Sequence, residues 1–520
     1  MKKNDDKKKK ILLYIRILKI ILIIVLLIII FLYIYKDYIS KYINILNNKG
    51  NNISFNYNNN KNVHDISQKN YINNKDNENN QINIDINCTN LDPIFMLKKR
   101  VETRPIKICD IESTKHICYK NSNTDINHMF FYQDGVICIS ENIIIDPSKW
   151  EKVTINALNY LNLGTPLLSK GFFNTKCGNI TIIDDYYYLY DQYFNGWNYE
   201  YADNMEYIGE LAQGKTIFLL NRNIESFSTF HGLCEFISAI SLMHILKLKP
   251  EDIKIIFLDS CCKKKIDYLY DLYKVLISRG GDPVYIRDIK TKFRVSKAVL
   301  VPVNFDTPML LSFSPSQDCS KPSPAYQLLN DLINQYAYLS FKDNFNSYNS
   351  SLFYYPKSVI DHYLSNKSFK KIVTIQWRRS FPRKDPSQTR LMGNGPEMAD
   401  KLASVLPKDI LIRLVNTAAL NIFEQISIAK NTDYFIGIFG AALSLNMFTP
   451  EHCINHEILD IPNANHFRLI SRMSGHKTYS NIIKHNNTKI ENDYYSHFDL
   501  NDFADCIINT MKQNNFFDST

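Results

Sequence analysis

The stretch GIFGAALSLNMF, residues 437–448, begins at the end of an apolar, aromatic-rich run, DYFIGIF, that is typical of a buried strand. Its two glycines and two alanines stand where the chain would leave that strand and enter a helix. Small residues at such a turn let backbone amides approach a bound phosphate, but they also let a helix pack closely on the strand. By itself the stretch leaves both interpretations open.

Strands alternate with helices throughout the region that surrounds this turn. In the C-terminal part, the strand patterns KKIVTIQW, DILIRLV, DYFIGIF and INHEILD alternate with the helix patterns GPEMADKLASVL, LNIFEQISIAKN and GAALSLNMF. An earlier series has the strand patterns KTIFLL, IKIIFLD, VYIRD and SKAVLVPV, with the helix patterns HGLCEFISAISLMHILKLK and IDYLYDLYKVLISRGG. Such alternation predicts parallel sheets. We therefore expect an α/β fold with two Rossmann-like domains that face a cleft, where ligands bind beyond the carboxyl ends of the strands.

The N-terminus predicts a membrane anchor. Residues 1–10, MKKNDDKKKK, hold six lysines of a chain whose net charge is +9, so the remainder is close to neutral and gives no indication of nucleic-acid binding. Residues 17–35 are apolar apart from Lys19 and are long enough to cross a hydrocarbon core of about 30 Å. The lysines before this span predict a cytoplasmic N-terminus, a type II signal-anchor and a luminal C-terminal part. A cleaved signal peptide is the alternative, but no small-residue cleavage site follows the run.

The predicted organisation has seven parts. They are a cytoplasmic basic tail (1–16), a transmembrane anchor (17–35), an Asn-rich stalk (36–90), an N-terminal Rossmann-like domain with a lead-in (91–305), an interdomain connection (306–366), a C-terminal Rossmann-like domain (367–490) and a C-terminal helix (491–520).

A luminal location predicts glycans and disulfides. Glycosylation sequons occur at Asn52, Asn87, Asn179, Asn349, Asn366 and Asn486. All eleven cysteines lie beyond the anchor, where disulfides form. Cys109 and Cys118 are near enough in sequence to close a small loop, and the other pairings stay open.

A cluster of arginines directly follows one predicted strand. QWRRSFPRKDPSQTR, residues 376–390, places Arg378, Arg379, Arg383 and Arg390 at the carboxyl end of that strand. Arginines there are suited to bidentate contacts with a diphosphate. The alternative interpretation is a solvated basic loop, which is the usual environment of a charge run.

These segments resemble glycosyltransferase family 61, which includes O-linked N-acetylglucosamine transferases of the secretory pathway and plant xylan glycosyltransferases. Residues 423–458, FEQISIAKNTDYFIGIFGAALSLNMFTPEHCINHEI, are similar to its C-terminal pattern of a Glu-Gln helix, a strand, a G-x-H-G-A-G-L-T-N turn and an apolar strand ending in Glu. TRLMGNGPEMADKL (389–402) resembles its Arg- and Asn-containing stretch, and FSTFHGLCEFISAI (227–240) resembles its aromatic-His element. Phe439 stands where the family has His, Ala442 replaces a Gly, and Asn446 falls one place after the expected Asn.

The resemblance implies an inverting transferase of the GT-B type that uses a UDP-sugar as its donor substrate, with N-acetylglucosamine or a pentose such as xylose as the sugar. The implied acceptor is an O-linked protein site or a polysaccharide, and the implied location is the Golgi or endoplasmic-reticulum membrane. The residues assigned to donor binding are Arg378, Arg379, Arg383, Arg390, Asn394, Glu424, Gly437, Gly440, Ala441, Ser444 and Glu457. A catalytically degenerate luminal sugar- or protein-binding member of the same fold is the alternative, because the His is replaced.

The chemistry of inverting transfer requires one base and a positive environment for the departing diphosphate. The candidates for the base are His231 and Glu235 at a helix start, and Asp259 at the end of a strand. His231 and Glu235 are four residues apart, a spacing that is also common for a capping or core pair. No Asp-x-Asp pair occurs in the chain, and no metal cofactor is expected. The segment EHCINHE (451–457) does not have a familiar zinc spacing.

Overall fold

The computed structural model describes residues 92–102, 106–111, 114–119, 137–151, 167–177, 196–199, 209–220, 222, 229–258, 267, 269–301, 322–339, 341, 343, 345, 352–378, 390–459, 470–471, 473–490 and 493–517. The predicted tail, anchor and stalk lie outside these residues. Within the described ranges, no helix has both the length and the apolar character that a membrane span needs.

The N-terminal half, residues 92–336, contains a nine-stranded mixed sheet and a separate strand pair. Its strands are β1 (Ile106–Ile111), β2 (Thr114–Tyr119), β3 (Ile137–Ile145), β4 (Trp150–Glu151), β5 (Leu167–Leu168), β6 (Phe173–Asn174), β7 (Trp197–Asn198), β8 (Thr216–Leu220), β9 (Ile253–Phe257), β10 (Val284–Tyr285) and β11 (Phe293–Leu300). Its α-helices are α1 (Pro93–Glu102), α2 (Thr229–Ile245), α3 (Tyr270–Leu276) and α4 (Pro324–Tyr336).

The order of the large sheet is β1-β2-β3-β11-β8-β9-β10, and β6 and β7 extend from β3. Strands β11, β8, β9 and β10 are parallel, whereas β1, β2 and β3 pair in antiparallel fashion and β3 joins β11 in the same way. Every residue of β8 is buried, as expected for a strand in a sheet that is covered on both faces. The strand order reverses between β8 and β11.

The C-terminal half, residues 353–517, contains a six-stranded sheet and a three-stranded sheet. Its strands are β12 (Phe353–Tyr354), β13 (Lys371–Gln376), β14 (Arg390–Met392), β15 (Ile410–Val415), β16 (Tyr434–Ile438), β17 (Ile454–Leu459), β18 (Lys477–Ile482), β19 (His485–Ile490) and β20 (Asp493–Phe498). Its α-helices are α5 (Lys357–Leu364), α6 (Gly395–Val405), α7 (Ile422–Lys430) and α8 (Leu500–Gln513). A 3-10 helix, Ala441–Phe448, connects β16 to β17.

The six-stranded sheet has the order β12-β15-β13-β16-β17-β18, with β12 antiparallel to an otherwise parallel set. Taken in chain order, the five parallel strands follow the sequence 2-1-3-4-5, which is a common doubly wound arrangement. The chain is therefore α/β with mixed sheets, consistent with a Rossmann-like fold. The alternation predicted from hydrophobic periodicity is confirmed for the elements from β8 to β11 and from β13 to β17.

Two parts of the C-terminal half differ from the sequence prediction. The stretch GAALSLNMF forms a 3-10 helix, and the predicted C-terminal helix region, 491–520, begins with strand β20 before α8 starts. Strand β20 pairs with β14 and β19 in the small sheet. Because β14 has only three residues, it is too short to show a periodic pattern in the sequence.

The two halves share a hydrophobic core. Helix α2 is buried nearly all round, which a helix apolar on all its faces requires. Leu233 and Ile237 of α2 belong to the same buried cluster as Leu443 and Met447 of the 3-10 helix, and the two helices pack against each other. The sequence predicts a cleft between two domains, and at this place the boundary between the halves is an apolar helix-to-helix contact.

A disulfide joins Cys118 and Cys138, which are directly opposite each other on β2 and β3. The sequence distance between Cys109 and Cys118 suggested a different loop, but the register of the two strands brings Cys138 to Cys118 instead. Neighbouring antiparallel strands can join cysteines that are far apart in sequence, which is why sequence spacing was a poor guide.

Arg413 on β15 is completely buried and connects several elements of the C-terminal half. Its guanidinium donates to Thr374 Oγ1 on β13 at 2.9 Å and to the main-chain oxygens of Ile428 and Asn431, at the end of α7, at 3.0 and 2.7 Å. It also forms an ion pair with Asp343 at 2.8 Å. A cation at the C-terminus of a helix interacts favourably with the helix dipole, so Arg413 fixes α7 against the sheet.

Replacing Arg413 should therefore destabilise the fold. We expect Arg413→Met to lower the free energy of unfolding by about 3–5 kcal/mol, because Asp343 and the carbonyls of α7 would lose their buried partner. Denaturant unfolding of the full chain measures the effect. Lys408→Met, which removes an exposed cation, is the control and should change little. An equal, small effect of both substitutions would contradict a structural role for Arg413.

Candidate functional site

The strand order of the C-terminal sheet reverses between β13 and β16, which lie side by side. In open α/β sheets, such a switch point leaves a crevice beyond the carboxyl ends of the strands, where ligands bind. The chain leaves β13 at Gln376 and leaves β16 at Ile438. Arg378, the member of the predicted arginine cluster that directly follows β13, and the small-residue turn that follows β16 therefore lie at the same edge of the sheet.

Arg378 lies two residues beyond β13 and contacts the turn that follows β16. Its Nη1 donates to the carbonyl oxygen of Phe439 at 2.9 Å, and its own carbonyl accepts from the amide of Met392 at 2.9 Å. The guanidinium lies against Gly440, where a Cβ atom would overlap Nη1. The backbone at Gly440 is extended, so the glycine is required by this close approach and not by its torsion angles.

Gly437, the first glycine of the stretch GIFGAALSLNMF, has a different role from Gly440. It is buried within β16, and a Cβ atom there would collide with the side chain of Leu443 and approach Gln376 Oε1 to 3.0 Å. Gln376 is buried and donates from Nε2 to Thr417 Oγ1 at 3.1 Å. Gly437 therefore serves helix-to-strand packing, whereas Gly440 makes room for a charged group at the switch point.

The 3-10 helix starts at this edge of the sheet. Gly440 is its N-cap residue, and the side chain of Ser444 donates to the carbonyl of Ala441 at 2.6 Å within the helix. Helices α6 and α7 also begin at this edge, because they follow β13 and β15 and precede the next parallel strands. Helix N-termini carry partial positive charge, so together with Arg378 they favour an anion at the switch point.

Two residues that the sequence assigns to donor-substrate binding, Asn394 and Glu424, form hydrogen bonds with neighbouring parts of the chain. Asn394, before α6, donates from Nδ2 to Phe498 O at 2.8 Å and accepts from the Phe498 amide at 3.0 Å, which joins α6 to β20. Glu424 forms a capping box with Asn421 at the start of α7, where its Oε2 accepts from the Asn421 amide at 2.9 Å.

Glu457 lies beside Gly437 on the neighbouring strand, β17. Its side chain is buried, and its Oε2 accepts from the hydroxyl of Ser480 at 3.2 Å. The structure thus brings Arg378, Gly437, Gly440 and Glu457 to one edge of the C-terminal sheet.

The candidate bases belong to the N-terminal half. His231 lies in the first turn of α2, and Glu235 follows one turn later. The Glu235 side chain is 0% exposed within the shared core, so it does not reach the protein surface in this conformation. Asp259, Arg379 and Arg383 lie outside the described residues, and Arg390 lies in β14.

Sequence reasoning missed a charged cluster at the other switch point. Arg222 lies two residues beyond β8, where the N-terminal sheet reverses its strand order. It is buried and forms an ion pair with Asp267 at 2.7 Å, and its guanidinium lies 3.6 Å from the ring centroid of Phe257. The hydroxyl of Tyr285 donates to the same Asp267 oxygen at 2.7 Å. The sequence contained an indication of this cluster, because Arg222 follows a strand pattern just as Arg378 does.

The residues of EHCINHE do not gather around one point. His452 is exposed and contacts Asp433 at 2.9 Å, Cys453 is buried, and His456 contacts the hydroxyl of Tyr434 at 2.7 Å through Nδ1. In the part of the chain that the structure describes, the group with metal-like spacing is His116 with Cys118 and Cys138. Those two cysteines are joined in the disulfide and are not thiolate ligands in this state.

Of the predicted glycosylation sites, Asn366 and Asn486 are exposed, at the end of α5 and on β19. Asn52, Asn87, Asn179 and Asn349 lie outside the described residues.

Comparison of the chain with protein-family models and with curated proteins finds no match.

A double-mutant cycle tests the contact between Gly440 and Arg378. We expect Gly440→Ala to lower the free energy of unfolding by about 1–3 kcal/mol, because the new methyl group would displace the guanidinium. In an Arg378→Ala background the same substitution should cost much less, and the difference is the coupling energy. Equal costs in both backgrounds, measured by denaturant unfolding, would show that the two residues do not interact.

The buried histidines predict a loss of stability in acid. Burial lowers the pKa of His456 to about 4, and a hydrogen bond with Asn481 opposes this shift. An unfolded histidine has a pKa of about 6.5, so the unfolded chain binds the extra proton first. Stability contributed by neutral His456 should therefore be present above pH 6.5 and be lost as the pH falls towards 4.

Denaturant unfolding between pH 7 and pH 5 measures this effect, and His456→Gln should give a shallower pH dependence than the unsubstituted chain. His244→Gln removes an exposed histidine of α2 and is the control. If both variants keep the original slope, His456 does not carry the effect. His116, whose pKa burial lowers to about 3, adds to the slope in every variant.

Proposed function

We propose that this chain is an inverting glycosyltransferase of the GT-B type that binds a UDP-sugar at the switch point of its C-terminal sheet. The observation that carries the proposal is the contact of Arg378 with the Phe439–Gly440 turn at that point. A half-buried guanidinium beside helix N-termini is suited to a diphosphate, because it offers fixed donors to the phosphate oxygens. This turn also lies in the longest of the three segments that resemble glycosyltransferase family 61.

The proposed reaction follows from these groups. A base removes the proton of an acceptor hydroxyl, whose oxygen attacks the anomeric carbon and inverts it, and the UDP leaves with the bonding electrons. Arg378, together with Arg379, Arg383 and Arg390 of the same chain segment, stabilises the negative charge that develops on the diphosphate. Since Glu235 is fully buried, His231 and Asp259 are the better candidates for the base.

The proposed location is the membrane of the Golgi or endoplasmic reticulum, with a type II anchor at 17–35 and a luminal C-terminal part. The Cys118–Cys138 disulfide supports this location, because disulfides persist in oxidising compartments. The exposed positions of Asn366 and Asn486 leave room for glycans on both sequons.

Phe439 favours a second candidate function, that of a luminal binding protein without catalysis. It stands where the family has His, and its partly buried side chain packs against the core that the two halves share. An aromatic ring held in this way cannot accept or donate a proton. Such a protein would bind the nucleotide or a glycan without transferring a sugar.

The two candidates are separated by an assay of UDP release. The full chain, purified in detergent, is incubated with UDP-N-acetylglucosamine, UDP-xylose and UDP-arabinose together with acceptor glycans. We expect turnover with one donor, and a loss of kcat/KM of about 100-fold or more in Arg378→Ala, because a stabilising donor to the leaving group is lost. Arg378→Lys should recover part of the loss, since it keeps the charge without the bidentate geometry.

Arg279→Ala is the matched control, because Arg279 is a surface arginine of the N-terminal half that pairs with Glu251. It should leave turnover unchanged. A folded chain that binds UDP but releases none from any donor would favour the binding protein. A folded chain that neither binds UDP nor turns over any donor would overturn both candidates at this site.

A further inference from the structure

A cavity of about 340 Å³ lies between the two halves of the chain, away from the switch points. Its walls come from α4, the last residue of α7, the segment after the 3-10 helix and the segment before β18. Lys430 precedes β16 and Glu451 precedes β17, so the cavity lies at the amino ends of these parallel strands. Arg378 lies at the opposite, carboxyl edge. The cavity is therefore distinct from the proposed donor site.

One wall is a stripe of polar side chains on α4. Gln327, Asn330, Asp331 and Asn334 follow the spacing i, i+3, i+4 and i+7, which places them on one face of the helix, and all four line the cavity. The opposite face of α4 is apolar and is buried in the shared core. Gln327, Asp331 and Asn334 are exposed and Asn330 is partly buried, so the space between this helix face and the second protein wall is open to solvent.

The facing wall supplies charge of both signs. Lys430, the last residue of α7, is partly buried, and its ammonium donates to Asn334 Oδ1 at 2.9 Å across the cavity. Burial lowers the pKa of Lys430, and the nearby carboxylate of Asp331 opposes that shift. Glu451 completes the charged rim. The cavity thus contains two carboxylates and one ammonium, so it suits neither a phosphate nor a simple cation.

Further polar groups line the cavity beside the apolar side chains of Phe448 and Pro450. The hydroxyl of Thr449 donates to the carbonyl of Asn446 at 2.8 Å and accepts from Asn455 Nδ2 at 3.2 Å. The hydroxyl of Ser474 donates to the carbonyl of Ile470 at 2.9 Å, and its oxygen can act as an acceptor towards a ligand. His476 lines the same region and is 6% exposed. Burial lowers its pKa to about 4, which keeps the imidazole neutral near pH 7.

We propose that this cavity binds a neutral, hydroxyl-rich ligand, that is, a carbohydrate, at a second site on the chain. Amide and carboxylate side chains both accept hydrogen bonds from hydroxyl groups, and amides also donate to them. The cavity volume is at the lower end of the range of about 300–1,000 Å³ found for small-ligand sites, which fits one or two sugar rings. The site does not depend on the proposed transferase activity.

The test uses saturation-transfer NMR with the full chain and two sets of neutral probes. Free N-acetylglucosamine, xylose and mannose represent single sugars, and chitobiose and xylobiose represent the end of a glycan. We expect saturation transfer from at least one probe, and the set that binds more tightly identifies the source of the ligand. UDP added in excess should not displace the probe, because the proposed donor site lies at the other edge of the sheet.

Substitutions on α4 provide a matched control. Asn334→Leu and Asp331→Leu change exposed residues that line the cavity, and Gln335→Leu changes an exposed neighbour on the same helix that does not line it. The first two should weaken probe binding about 10-fold or more, and the third should leave it unchanged. Thermal unfolding of each variant confirms that it is folded.

Three results would overturn the proposal. One is the absence of saturation transfer from every neutral probe in a folded chain. Another is equal binding by all three variants, which would place the sugar elsewhere. The third is displacement of the probe by UDP, which would assign the sugar to the donor site. None of these results depends on whether the chain releases UDP from a nucleotide sugar, so failure here and failure of the proposed transferase activity are distinguishable.

Discussion

A buried cation, Arg413, is the constraint on which the C-terminal half depends. A guanidinium that is shielded from solvent needs hydrogen-bond acceptors for its N–H groups. For Arg413 these acceptors lie on the neighbouring strand β13, at the end of α7 and on Asp343. The second oxygen of Asp343 accepts from the hydroxyl of Tyr355 at 2.7 Å. The network thereby ties the end of α7 to strands β13 and β15 of the sheet.

A second arginine, Arg378, lies at the switch point of the same sheet, but its environment differs from that of Arg413. Arg378 is only partly buried, and it lies beside a glycine at the edge of the sheet instead of inside the core. A charge in that position is held by the carbonyl of Phe439 and still lies near the helix N-termini that begin there. Arg413 therefore lies in the core of the fold, whereas Arg378 lies at the switch point, the edge at which open α/β sheets commonly bind ligands.

Hydrophobic periodicity predicted most strands and helices, because each buried element carries its pattern locally. It could not predict β14 or the pairing of β14 with β20, since a three-residue strand has no period and its partner is about a hundred residues away. The arginine cluster and the small-residue turn were both found in the sequence. The contact between Arg378 and the turn was not, because it depends on β13 and β16 being neighbours in the sheet. The pairing of Arg222 with Asp267 was missed for the same reason, although the position of Arg222 after a strand was visible in the sequence.

Periodicity and residue type were enough to predict the α/β class, the main strands and helices, and a turn of small residues at 437–442. Each of these properties depends on the pattern of residues within one short segment of the chain. The tertiary structure was needed to show that Gly437 packs against a helix while Gly440 admits a guanidinium. It also decided that the polar face of α4 lines a cavity. Both outcomes depend on which distant segment of the chain packs against the two glycines and against α4. The packing of the two halves on their shared core sets this.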